Sequence, residues 1–168
     1  MAATRSQPAR GRSVAATQML AFVAIVSLGS IAAALVSQHA FGMEPCPWCI
    51  LQRLIFAAIG VLAVVGLAIR ATTSTRIVAG LGVLLSLAGI AAALWQQFVA
   101  AKSASCNLTL ADRIVGWTQL DRLAPEVFEA RASCADAAVN LLGVPYAVWA
   151  AAAFVVCALA LLRALKLA

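Results

Sequence analysis

Long apolar runs separated by short polar stretches dominate the chain, and the runs set its elements. Four of them, Met19 to Val36, Leu54 to Ile69, Ile77 to Leu94 and Val144 to Leu162, contain no charged side chain. Each extends readily toward the roughly 20 residues that a helix needs to cross a bilayer. Backbone N–H and C=O groups in hydrocarbon must find partners within the segment itself. Runs of this length do so as helices, whereas barrel strands would be about half as long and alternate in polarity. The pattern predicts an all-α four-helix transmembrane bundle, one integral membrane domain over residues 1–168. Its transmembrane helices are expected at about 17–37, 49–69, 77–98 and 144–163, after a tail over 1–16. Arg5, Arg10 and Arg12 precede the first run as they would in a signal peptide, but the run exceeds the roughly 7 to 15 residues of a signal core, so it reads as an uncleaved anchor.

Composition agrees with this reading. With 64% of residues apolar and 11% charged, a soluble domain could not cover its surface with polar groups. Charge placement then orients the bundle, because loops that stay in the cytoplasm retain Lys and Arg near helix ends. Arg5, Arg10 and Arg12, Arg70 and Arg76, and Arg163 and Lys166 all fall on one side of the four spans. The acidic residues Glu44, Asp112, Asp121, Glu126, Glu129 and Asp136 all fall in the two loops on the other side. Both termini are therefore expected in the cytoplasm. The net charge of +6 resides where membrane insertion requires it and forms no contiguous basic stripe, so no nucleic acid partner is indicated.

The connection between the second and third spans is short, roughly Arg70 to Arg76, which makes those helices antiparallel neighbours. On the non-cytoplasmic side a first loop runs from about Ser37 to Pro47. The second, 99–143, is far longer than an ordinary connection. Within it Ile114, Val115, Trp117, Leu120, Leu123, Val127 and Phe128 interleave with charged residues. Two readings remain open: an amphipathic segment on the membrane surface, or a loop packed on itself. Pro125 divides the segment into two short helical pieces. The first dozen residues, with Pro8, Gly11 and three arginines, are expected to be disordered.

Candidate chemistry lies in the cysteines. Cys46 and Cys49 in the first loop, and Cys106 and Cys134 in the second, fall in a compartment where disulfides persist. Cys46-Pro47-Trp48-Cys49 has the Cys-x-x-Cys spacing of a bond that opens and closes. It sits at the start of the second span, where the helix dipole favours a thiolate at Cys49. One turn deeper on the same face, Arg53 meets an unfavourable dipole end and the edge of the hydrocarbon, so it requires an anion or acceptor there or must reach out to lipid headgroups. Cys106 and Cys134 can be read as a plain staple or as the second couple of a thiol–disulfide relay. No second Cys-x-x-Cys or Cys/His cluster completes the tetrahedral spacing of a zinc site. Cys157 lies inside the fourth span as a small apolar residue, and His39 is assigned no role. With no Gly-rich dinucleotide fingerprint and a single histidine, a lipid-soluble electron acceptor remains.

At these residues the chain closely resembles the DsbB family of disulfide-bond formation proteins. The resemblance covers nearly the whole sequence: Ser37-Gln38-His39 leading to Pro45-Cys46-x-x-Cys49, then Arg53, Cys106, Pro125-Glu126-Val127-Phe128, Cys134 and Leu141-Leu142-Gly143. The vitamin K epoxide reductase family shares a four-helix core and two cysteine pairs, but its Cys-x-x-Cys follows the loop pair, whereas here it comes first. The resemblance implies a multi-pass protein of the bacterial inner membrane. It would reoxidise a DsbA-like periplasmic thiol oxidase and deliver the electrons to the membrane quinone pool, ubiquinone or menaquinone. It further implies catalytic roles for Cys46, Cys49, Cys106 and Cys134. The partner would attack a Cys106–Cys134 disulfide at Cys106, a transient Cys46–Cys134 bond would leave Cys49 as thiolate facing the quinone, and Arg53 would stabilise both. Some relatives carry a histidine near the end of the third span, where this chain has Gln96 and Gln97. Two rival functions share the cysteines: the same scaffold acting on a dedicated substrate or on quinone-like epoxides, and a non-catalytic scaffold stapled by two disulfides.

Overall fold

The computed structural model describes residues 7–69, 71–102 and 109–168; Arg5, Arg70 and Cys106 lie outside them, as do the side chains of Arg10 and Arg12. Among the described residues, four helices are long and apolar enough to cross a membrane. They are α1 (Gln7–Phe41), α2 (Pro47–Ile69), α3 (Thr72–Phe98) and α7 (Tyr146–Leu167). Each packs against its neighbours in the ring order α1, α2, α3, α7. Large apolar side chains such as Phe22, Ile25, Val61, Leu84 and Leu159 point outward. A continuous apolar belt of this kind is stable only against lipid, so the chain is a multi-pass membrane protein.

Inside the ring, lipid offers no hydrophobic drive for helix association, so close packing and small residues must supply the contact. A side chain at Gly66 would press on Leu20 and Val78, one at Gly82 on Leu161, and one at Gly89 would enter the ring of Phe154. Phe154 is fully buried and stacks on Phe56 of α2, centroids 3.8 Å apart and planes 3° from parallel. Gly89 therefore fixes how close α7 comes to α3, and through the two rings where α2 lies. Nearer the end of the bundle that bears the termini, the buried Ser27 and Cys157 meet at 3.8 Å across α1 and α7.

Helix ends differ from the expected ones for local reasons. The first helix reaches back to Gln7, through residues expected to be disordered. Pro8 falls in its first turn, where the missing N–H would have had no partner. The link between α2 and α3 narrows to residues 70–71, with Ala71 extended, so that Arg76 stands within α3.

Beyond α3, a short 3-10 turn (Ala100–Lys102) leads toward the long loop, which contains α4 (Leu110–Thr118), α5 (Leu120–Leu123) and α6 (Pro125–Phe128). Thr109 and Asp112 form a reciprocal cap at the start of α4, satisfying donors that the helix leaves free. Pro125 opens α6 as expected, but a further break falls at Gln119, whose φ of 55° is left-handed, so there are three pieces and not two. Ala111 and Val115 of α4 are buried, and α4 packs on α2, while Leu110, Ile114 and Trp117 face outward, Trp117 being 87% exposed. A two-residue turn with Leu142 and Gly143 at positive φ then joins the short strands β1 (Asn140–Leu141) and β2 (Val144–Pro145) before α7.

Replacing Gly89 by alanine should cost about 1 to 3 kcal/mol through the clash with Phe154. Gly80→Ala, where nothing lies within 4 Å, should be neutral or slightly stabilising through helix propensity. Thermal unfolding of the two variants in one detergent compares them directly, and equal midpoints would contradict the packing described.

Candidate functional site: a sulfur cluster at the mouth of α2

The first N–H groups of a helix have no partner inside it. In α2 the chain enters through Cys46, whose carbonyl accepts the N–H of Ile50 at 3.0 Å, and continues with Pro47, which has no N–H to satisfy. The N–H of Cys49 finds sulfur, donating to Cys46 Sγ at 3.4 Å. The sequence expectation that Cys46 and Cys49 stand at a helix mouth is met in this geometry.

Cys134 reaches this position from 88 residues further along the chain than Cys46. Its approach is held by the carbonyl of Pro45, which accepts the N–H of Arg131 at 2.9 Å and that of Ala132 at 3.2 Å. Arg131 in turn donates to Glu129 and Glu126 at 3.1 and 3.2 Å. Ser133 and Asp136 close the turn around Cys134, Asp136 N–H donating to Ser133 Oγ at 3.2 Å. Three of the sequence-predicted cysteines therefore converge: the Cys46 and Cys49 sulfurs are 2.9 Å apart, and Cys134 lies near enough to Cys46 to influence its protonation.

The central sulfur holds its proton more tightly than its loop neighbour. Hydrogen bonds to Cys134 and Cys49, then burial, push the Cys46 thiol above the ordinary range. The bond from Cys46 holds Cys134 below that range against the opposing effect of burial, with a smaller contribution from the Trp48 N–H. The charged form of a thiol gains most from a donor aimed at it, which fixes the sign of both shifts.

Arg53 is 6% exposed, so it does not reach out to headgroups. Its guanidinium finds neutral acceptors: Nη1 donates to Gln38 Oε1 at 2.7 Å and to the carbonyl of Val127 at 3.0 Å, and Nη2 donates to the carbonyl of Ala34 at 3.3 Å. One side chain thus ties α1, α2 and α6 together one turn below Cys49. Gln38, Gln52 and Gln96 belong to the site and were not singled out as site residues from sequence. The available signal was a buried amide at each end of an apolar run.

Below the sulfurs lies a cavity of about 1000 Å³ between α1, α2 and α7. Cys49, Gln52, Arg53 and Gln96 form a polar end, while Ala33, Ala34, Phe56, Ala150 and Ala153 line apolar walls. The profile of the family described as Disulfide bond formation protein DsbB matches residues 16–164. The chain belongs to the DsbB family. Among its relatives is the Disulfide bond formation protein B of Herminiimonas arsenicoxydans, 35% identical over 84% of this chain and 89% of that protein. The proteins of the same name from Pseudomonas syringae pv. tomato and Ralstonia nicotianae are 34% and 32% identical, over 84% and 85% of this chain and 85% and 89% of their own lengths. No solved structure matches the chain. Membership of the DsbB family assigns the protein to disulfide bond formation, an oxidoreductase activity in a membrane.

Removing the donor should raise the pH at which Cys134 reacts. In reduced Cys46→Ala protein, the alkylation profile of Cys134, resolved by peptide mass spectrometry, is expected to move to higher pH than in the parent. An unmoved profile would show that Cys46 does not hold the Cys134 thiolate.

Proposed function

We propose that this DsbB-family protein reoxidises a DsbA-like periplasmic dithiol partner and passes the electrons to membrane quinone, either ubiquinone or menaquinone. In this reading it sits in the bacterial inner membrane with both termini in the cytoplasm. The observation that supports it best is the place of Cys46, within reach of Cys49 on one side and Cys134 on the other, beside a cavity with a cationic, polar end.

The exchange begins when the partner's thiolate attacks a Cys106–Cys134 disulfide at Cys106, forming a mixed disulfide and releasing Cys134 as thiolate. Cys106 lies outside the described residues, so this pairing follows from the family resemblance. Cys134, held below the ordinary thiol range, is a competent leaving group and then a nucleophile toward Cys46. Its attack on a Cys46–Cys49 disulfide forms Cys46–Cys134 and releases Cys49 as thiolate at the head of the cavity. The partner's second thiol resolves the mixed disulfide, and the partner departs oxidised, leaving Cys106 as thiol. Cys106 returns to Cys134, releasing Cys46, and the two electrons from the partner now reside on the Cys46 and Cys49 pair.

The cavity suits a quinone: its volume falls in the range of small-molecule sites, with donors at the polar end for a carbonyl oxygen and apolar walls for a lipid tail. A bound quinone would supply a sink for two electrons and two protons. Gln52, Arg53 and Gln96 would hold its head group, and Ala33, Ala34, Ala150 and Ala153 would flank the tail. The charge of Arg53 favours an anion at this end of the cavity, while its hydrogen bonds keep it from swinging away. The outward Leu110, Ile114 and Trp117 of α4 would rest on the membrane surface, keeping the loop sulfurs near the helix mouth.

Membranes containing the protein should oxidise a reduced DsbA-like partner only when quinone is present. Cys49→Ser should lower turnover by more than about a hundredfold through loss of the nucleophilic sulfur. Cys134→Ser should accumulate the mixed disulfide at Cys106. Equal turnover in quinone-depleted membranes would overturn the acceptor assignment.

A further inference from the structure

Two buried amides stand behind the Cys49 sulfur. Gln52 Nε2 on α2 donates to Gln96 Oε1 on α3 at 2.6 Å, and Gln96 Nε2 donates to Cys49 Sγ at 3.1 Å. Both glutamines are about 5% exposed. A primary amide has an acceptor at one end and donors at the other. With its oxygen occupied by Gln52, Gln96 turns its N–H toward the sulfur. Polar groups in such surroundings are costly unless paired, and this pairing is satisfied only as a chain that ends on Cys49.

The states of that sulfur differ as acceptors. A disulfide or thiol sulfur accepts weakly, whereas a thiolate takes a charge-assisted bond. A fixed N–H therefore favours the state in which Cys49 carries charge over those in which it is bonded to Cys46 or protonated. Arg53 acts on the same sulfur through its charge, because its Nη1 and Nη2 donate to Gln38, Val127 and Ala34. Among the described residues, Gln96 is the side-chain nitrogen that donates to Cys49.

We propose that Gln96 is the positioning residue for the charged form of Cys49, with Gln52 acting through it to keep the amide donor-first. The inference rests on the reading of Cys49 as the sulfur released toward the cavity. Because neither amide titrates, this support is the same at every pH at which the protein works.

The test uses the reduced full-length protein in lipid nanodiscs without quinone. Iodoacetamide alkylation of Cys49 is followed across pH by peptide mass spectrometry, since the rate tracks the thiolate. Gln96→Leu should slow alkylation at neutral pH by about tenfold, as expected for losing a hydrogen bond to a charged group. Its profile should move to higher pH and reach the parent's plateau in alkali. Gln96→Met, closer in length, should give the same displacement, which separates loss of the donor from loss of packing. Gln52→Leu should cost about threefold, and the double variant should be no slower than Gln96→Leu alone, because the two residues act in series. An unmoved profile in both Gln96 variants overturns the proposal, as does a rate that rises at every pH, which would mean that the sulfur had merely been uncovered. Additive losses in the double variant overturn the role of Gln52. Since the assay contains no quinone, failure here leaves the acceptor assignment standing, and failure of that assignment leaves this result unaffected.

Discussion

A helix begins with N–H groups that its own turns cannot satisfy, and at the mouth of α2 sulfur takes one of them. Pro47 removes one donor, and the N–H of Cys49 goes to Cys46 Sγ. The partial positive charge at this helix end favours thiolate over thiol. The same helix mouth brings the sulfurs of Cys46, Cys49 and Cys134 together. The carbonyl of Pro45, accepting both Arg131 and Ala132 N–H, is what anchors the loop end of that arrangement.

Arg53 extends the constraint downward. A guanidinium at this depth is tolerated because three neutral acceptors surround it, two on α1 and one on α6. Its charge is therefore partly uncompensated by any carboxylate and remains available to an anion at the head of the cavity. Further down, the Gly89, Phe154 and Phe56 stack sets the spacing of α3, α7 and α2, and Phe56 forms part of the cavity wall. Packing and chemistry meet in that one ring.

Much of this was legible in the sequence. Four charge-free runs gave the helices, because hydrocarbon leaves no alternative at that length. Cys46, Cys49 and Arg53 gave the helix mouth, because their spacing of three and four residues places them on one face. Pro125 gave a break in the loop, because it cannot continue a helix. The break at Gln119 was not legible, since a left-handed residue other than glycine depends on its surroundings. Nor was the helix from Gln7, where Pro8 argues against helix in general but not in a first turn. Gln38, Gln52 and Gln96 carry no spacing motif. Their roles depend on which helices become neighbours, and a single amide in an apolar run does not reveal its partner. The approach of Cys134 to Cys46 likewise depends on backbone bonds to Pro45 that no side-chain pattern announces.

The proposed exchange requires that Cys46 can form a disulfide with either of its neighbours, Cys49 or Cys134. Replacing Cys106 by serine removes the cysteine proposed to pair with Cys134, and the disulfide-linked peptides of that variant can be identified after digestion under non-reducing conditions. Two populations are expected, one linked Cys46 to Cys49 and one linked Cys46 to Cys134, interconverting by internal thiol–disulfide exchange in a ratio that the redox buffer does not change. Recovery of the Cys46 to Cys49 link alone, with Cys134 free in every buffer, would contradict the proposed exchange.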